Sequence, residues 1–94
     1  MPVFQGSGSG STSSSPKTIA TTINSFSIVN NSGGSVDVTV YIEDGTHTAV
    51  PITAIDYTLK NKQAYIRDSP ILVLPGYYIT IASSDTVYYY FSIS

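Results

Sequence analysis

Ser35-Val-Asp-Val-Thr-Val-Tyr-Ile42 alternates more cleanly than any other stretch of the chain. Val36, Val38, Val40 and Ile42 share one parity, and Ser35, Asp37, Thr39 and Tyr41 take the other. Side chains along a strand point to opposite faces with a period of two, so the stretch predicts a β-strand with one aliphatic face buried and one polar face in water. Further strands must cover the aliphatic side.

On the N-terminal side, Ile19-Ala-Thr-Thr-Ile-Asn-Ser-Phe-Ser-Ile-Val29 is rich in β-branched residues and predicts a second strand. Phe26 and Ile28 share a parity whereas Ile19 and Ile23 lie on the other, so a bulge or bend near Asn24 is expected to shift the alternation by one residue. Asn30-Asn-Ser-Gly-Gly34 reads as a turn, since Asn and Gly tolerate the positive φ of tight reversals. The two strands are therefore expected to pair as an antiparallel hairpin.

On the C-terminal side the rhythm continues through short segments. Glu43-Asp44-Gly45 is a turn signature, and Val50 and Ile52 flank Pro51, which cannot donate a ladder hydrogen bond and so belongs at an edge or a bend. Ile55, Tyr57 and Leu59 alternate, Lys60-Asn61-Lys62 reads as a solvated loop, and Ala64 and Ile66 oppose Tyr65 and Arg67 as in a half-covered strand. Ile71 to Leu74, held between Pro70 and Pro75, is too short for a helix and suits a buried strand or a crossing segment. Beyond the Pro75-Gly76 turn, Tyr77, Ile79 and Ile81 alternate with Tyr78, Thr80 and Ala82. Ser83-Ser84-Asp85-Thr86 is then expected to reverse the chain before a last strand in which Val87, Tyr89, Phe91 and Ile93 point inward and Tyr88 and Tyr90 outward. Short strands, frequent turns and no helical periodicity predict an all-β fold, a small antiparallel Ig-like β-sandwich of about seven strands over residues 17–94.

Residues 1–16 look different. Residues 6–15 are drawn only from Gly, Ser and Thr, which have nothing to bury and predict a flexible tether, about 17 to 19 Å long on average and about 35 Å when straight. Val3 and Phe4 sit ahead of it as an apolar tip, so an N-terminal arm that docks elsewhere is expected; an expression tag or linker is the other reading of such a tract.

The 94 residues carry four basic and six acidic groups, a net charge of −2 and no cysteine. That balance, with a charged fraction of 11% and Lys60-Asn61-Lys62 as the only basic cluster, argues against a nucleic-acid binder, which needs clustered Lys and Arg to displace counterions. No apolar run approaches the 18 or so residues of a membrane helix, and the first residues lack the charged start and apolar middle of a signal peptide, so synthesis in a cytoplasm is expected. Without disulfides or thiolate metal sites, so small a domain has a thin stability margin that partner contacts can supplement.

Patterns that carry chemistry are weak throughout. The lone His47 is read as a loop residue, not the base of a triad. Glu43 with Asp44, or Asp68 with Asp85, could pair for glycoside hydrolysis only across a cleft, and turn-forming carboxylates are the simpler reading. Six scattered carboxylates show no metal-ligand spacing, and the Gly-Ser tract lacks the Lys-Ser or Lys-Thr and helix of a phosphate loop. No catalytic, metal or cofactor residue is assigned, and the chain is read as a non-enzyme. Tyrosine stands out, with eight in 94 residues. Tyrosine gives large contact area and a hydrogen-bonding tip at low entropic cost, so Tyr41, Tyr78, Tyr88 and Tyr90, with Val3 and Phe4 of the arm, are the candidate protein-interaction residues.

Ser25-Phe-Ser-Ile-Val-Asn-Asn-Ser-Gly-Gly-Ser-Val-Asp-Val-Thr-Val-Tyr-Ile42 resembles a group of small β-sandwich virion proteins of tailed bacteriophages, whose pattern is Ser-Φ-x-Φ-x-Asn-x-Ser-Gly-x-x-Φ-x-Φ-x-Φ-Tyr-Φ with Φ apolar. The later parts of that pattern are similar to Pro70 to Leu74, to the strand Gly76 to Ile81, to an Ala82-Ser83-Ser84 turn and to the closing aromatic strand Val87 to Ile93. The similarity covers roughly residues 22–94 and excludes the arm. Pro75-Gly76-Tyr77 stands where the group has Gly-Asp, so nothing carried by that acidic residue transfers. The resemblance implies a structural component present in many copies on a virion, with no catalytic residues to transfer, and no cofactor is expected. Its partners would be the major capsid protein or other virion proteins, most simply as an auxiliary capsid (decoration) protein. A neck or tail adaptor or a fibre-attachment module is the alternative within the virion. A carbohydrate-binding module that stacks sugars on tyrosine is the alternative outside it, although the Trp common in such platforms is absent.

Overall fold

The computed structural model describes residues 3–14, 16–45 and 49–94. Among them the chain forms eight strands and no helix: β1 (Val3–Ser13), β2 (Thr21–Val29), β3 (Val36–Glu43), β4 (Val50–Pro51), β5 (Tyr57–Leu59), β6 (Ala64–Arg67), β7 (Ile71–Val73) and β8 (Tyr78–Ile93). All pairings are antiparallel and belong to one sheet, curled into a half-barrel. The two facing sheets expected from sequence are thus two halves of one hydrogen-bonded surface, because β8 runs through both.

β8 is the organising element. Its N-terminal half, residues 78–83, pairs with β3, and its C-terminal half, residues 88–93, pairs with β2. β1 runs along both halves, from Val3 opposite Ser92 to Ser13 opposite Thr80. β4 and β5 extend the first half beyond β3, and β6 and β7 extend the second beyond β2. Ser83 to Thr86, expected to reverse the chain, instead lies within this single 16-residue strand. Between Gly8 opposite Val87 and Gly10 opposite Ser83, β8 advances four residues while β1 advances two, so Ser84, Asp85 and Thr86 bulge outward. A bulge increases twist and bends the strand, which is how one strand serves both halves. Small polar residues suit that bulge as well as they suit a turn, and this is why the sequence pattern points to a reversal.

The expected hairpin between β2 and β3 does not form. Both strands lie against β8, end to end and in the same direction. Asn30 explains the path. Fully buried, it donates through Nδ2 to the carbonyls of Gly34 (2.6 Å) and Leu59 (2.9 Å) and accepts from the Ser32 amide at 3.0 Å. These bonds satisfy the polar groups of a loop that carries the chain from one half of the sheet to the other. The bulge expected near Asn24 is present, as a register shift against β8 between Ile23 and Ser25.

Residues 3–13, which take in the expected apolar tip and most of the tether expected over residues 6–15, form β1 instead. Their side chains predict nothing, but their backbone completes the edge of β8. Phe4 turns inward, with its ring 4.7 Å from Tyr89 and 5.6 Å from Phe91. Tyr89 lies over Gly6, where an added Cβ would meet its hydroxyl at 3.0 Å, and a Cβ on Gly8 would fall 2.6 Å from Thr12 Oγ1. Gly10 has φ +70, a left-handed conformation that costs glycine little. Glycine is therefore the residue that lets this strand follow the bend.

The inward parity read from Val36 to Ile42 holds, with all four side chains buried. They share one core with Ile23, Phe26, Ile28, Leu59, Val73, Ile79, Ile81, Val87, Phe91 and Ile93. Phe26 stacks on Phe91 at 4.8 Å and on Tyr65 at 5.8 Å, and Tyr57 meets Tyr65 edge-on at 5.1 Å, linking the β5 and β6 margins of the curl. Of the alternating Ile55, Tyr57 and Leu59, Leu59 alone is buried: Asp56, with a positive φ of 53, separates Ile55 from β5, and Tyr57, on the parity of Leu59, lies at the margin against Tyr65.

Candidate interaction face

Curling buries one side of the sheet; on the other side Thr39, expected in water, is buried with Thr80 in the first half, where its hydroxyl accepts from the Asp56 amide, whereas the C-terminal half is open to solvent. In the C-terminal half, cross-strand register lines up Gln5, Tyr90, Ser27 and Ile66 in one row and Ser7, Tyr88, Val29 and Ala64 in the next. Val3, Ser92 and Ser25 form a third row beside them. Strands about 4.8 Å apart and same-face residues about 6.8 Å apart make this a surface on the order of 14 Å square. Ile66 is 67% exposed, Tyr88 52%, Tyr90 47%, Val3 41% and Val29 36%. The three rows contain no charged side chain. Large aromatic and aliphatic groups set among small hydroxyls, with no charge to desolvate, have the composition of a protein contact.

Of the six residues predicted from sequence, Val3, Tyr88 and Tyr90 meet on this face. Phe4 does not, since its parity turns it into the core beside Tyr89. Tyr41 and Tyr78 lie beyond the bulge of β8, in the other half of the sheet. Tyr41 is half-buried between Thr80 and Pro51. The Tyr78 hydroxyl donates to Glu43 Oε1 at 2.8 Å. That bond, with desolvation and the negative charges of Glu43 and Asp44, raises its pKa above the ordinary 10.0 and keeps the phenol a neutral donor. Val29 and Ile66 belong to the face and were not predicted. Parity carried the signal for both: Ile66 opposes Tyr65 and Arg67, and Val29 opposes Phe26 and Ile28 beyond the bulge.

Hollows also lie elsewhere among the described residues. An open groove of about 330 Å³ is lined by Gly10, Asp37, Asp56, Ala82, Ser83 and Ser84. Its Asp37 carboxylate already accepts from Thr58 Oγ1 at 2.8 Å, and the Asp37 amide donates to Ser84 Oγ at 2.9 Å. A second, apolar hollow of about 250 Å³ lies between Val50 and Ile52 on one side and Ile71, Leu72 and Leu74 on the other. Among the described residues no three His, Cys, Asp or Glu side chains converge as metal ligands. His47 lies outside the described residues, so the triad considered for it has no geometry to assess. Asp68 and Asp85 are both exposed. Comparison of the chain with protein-family models, with characterised proteins and with solved structures finds no match, so the chemistry of the face rests on its own geometry.

Proposed function

We propose that the chain is a structural virion protein of a tailed phage, an auxiliary capsid protein that seats the outer face of β1, β8, β2 and β6 on the capsid lattice. The observation that carries this reading is the uncharged face on which Val3, Val29, Ile66, Tyr88 and Tyr90 converge. The resemblance of residues 22–94 to phage virion sandwiches supplies the setting. In this reading the two halves of the curled sheet stand for the two layers of an Ig-like sandwich, with β8 common to both. Many modest contacts, one per copy, sum through the lattice to hold a domain whose own stability is thin.

Cosedimentation with undecorated capsids tests the proposal. The parent chain is expected to saturate the capsids. A Tyr88→Ser/Tyr90→Ser double variant is expected to keep its β-sheet circular dichroism and bind at least about tenfold more weakly, since buried tyrosines are frequent contact hot spots. Failure of the parent chain to bind, or equal binding by the folded variant, refutes it.

A further inference from the structure

We propose that β1 is an exchangeable strand: where two copies of this chain lie close together, each can dock its β1 on the β8 of the other. This follows from the fold and does not depend on the virion reading.

β1 can leave the sheet as a unit without unpairing any other strand from its neighbours. Among the described residues it pairs with β8 alone and lies at the margin of the sheet. The segment after it is tied down only as far as Lys17, whose amide donates to the Tyr77 carbonyl and whose carbonyl accepts from the Gly76 amide. Thr18, Ile19 and Ala20 then run exposed to the start of β2, and Ile19 is 71% exposed. These three residues can act as a pivot, so the exchanged unit is residues 3–17.

The hold of β1 on the body can be supplied equally well by another copy. It consists of the backbone ladder, the hydrogen bonds of Ser13 Oγ with Thr80 Oγ1 (3.0 Å) and of the Ile79 amide to Ser14 Oγ (2.9 Å), and one large inward side chain, Phe4, because the next inward positions are Gly6 and Gly8. The receiving edge nevertheless selects this strand over others. Tyr89 occupies the space above Gly6, Phe4 fills the site beside Tyr89 and Phe91, and the bulge at Ser84 to Thr86 is met by Gly10 in a left-handed conformation. A strand with side chains at those glycines meets Tyr89 or a strained backbone, whereas β1 of a second copy meets neither.

In dilute solution the short link holds β1 near its own β8 at an effective concentration on the order of 1 mM, and pairing within one chain wins. Pairing between chains competes once neighbours approach that concentration, as they do in a close-packed array.

The chain has no cysteine, which makes a disulfide trap clean. Ser7 and Tyr88 face each other across the ladder, and the Cα spacing of about 4.5 to 5.5 Å in antiparallel pairs fits a disulfide. Full-length Ser7→Cys and Tyr88→Cys chains of different mass are mixed at about 1 mM, incubated and oxidised. The off-register pair Ser7→Cys with Ser92→Cys serves as the control for random collision. Strand exchange predicts an interchain disulfide between the Ser7→Cys and Tyr88→Cys chains at least about tenfold above the control and lost at about 1 μM. Equal yields from the two pairs, or no interchain product at about 1 mM, overturns the proposal. Gln5→Cys with Tyr90→Cys, opposite each other one row away, repeats the test if either first variant fails to fold.

Discussion

Val38→Asp abolishes the cooperative thermal transition of the chain. Val38 is 1% exposed, lies opposite Tyr57 on β5 and Ser83 on β8, and belongs to a core cluster made of hydrophobic side chains. A carboxylate there loses its hydration without gaining a cation, which costs several kcal/mol. The lost burial of the valine removes about 1.5 to 3 kcal/mol more. A chain of 94 residues is stable by roughly 5 to 14 kcal/mol in total, so the substitution takes most or all of the margin. Circular dichroism melting checks this; a transition within about 10 °C of the parent's contradicts the placement of β3 in the core.

Deletion of residues 1–14 is the second large effect. Phe4 buries part of its ring against Tyr89 and Phe91, worth about 1.5 to 3 kcal/mol when complete. The ladder to β8 adds about 0.5 to 1.5 kcal/mol for each hydrogen bond, offset by the entropy of ordering a glycine-rich segment. A net loss of about 3 kcal/mol lowers the midpoint by about 12 to 24 °C in a domain of this size. The deletion also bares the full length of β8, an open edge that favours aggregation. Melting and size-exclusion chromatography read both effects. An unchanged midpoint with a monomeric elution profile is what a free tether would give, and it contradicts the fold described above.

Side-chain alternation made part of this molecule legible in advance. Val36 to Ile42 named the inward face of β3, and the parity change between Ile23 and Phe26 located the bulge in β2. Tyr88 and Tyr90 were assigned outward for the same reason, because a strand's two faces alternate whatever it pairs with. Pairing partners were not legible. Asn30 to Gly34 and Ser83 to Thr86 use the residues of tight turns, yet one is a pinned crossing loop and the other a bulge inside β8, since both structures need small polar residues that bond their own backbone. β1 was hidden for a different reason. A Gly and Ser strand has no side-chain period to read, and what holds it in place is backbone hydrogen bonding along an edge that sequence periodicity does not reveal. The interaction face inherited both outcomes: its β8 tyrosines were visible from parity, while its full extent depended on β1, β2 and β6 being neighbours.

Amide hydrogen exchange across residues 5–13 tests most directly whether β1 belongs to the sheet. The fold predicts slow exchange at alternate amides, those that bond to β8, with the intervening amides on the open side of β1 exchanging fast. Exchange at the free-chain rate throughout residues 5–13 would show a tether instead of a strand, and would remove Val3 from the face and β1 from the fold.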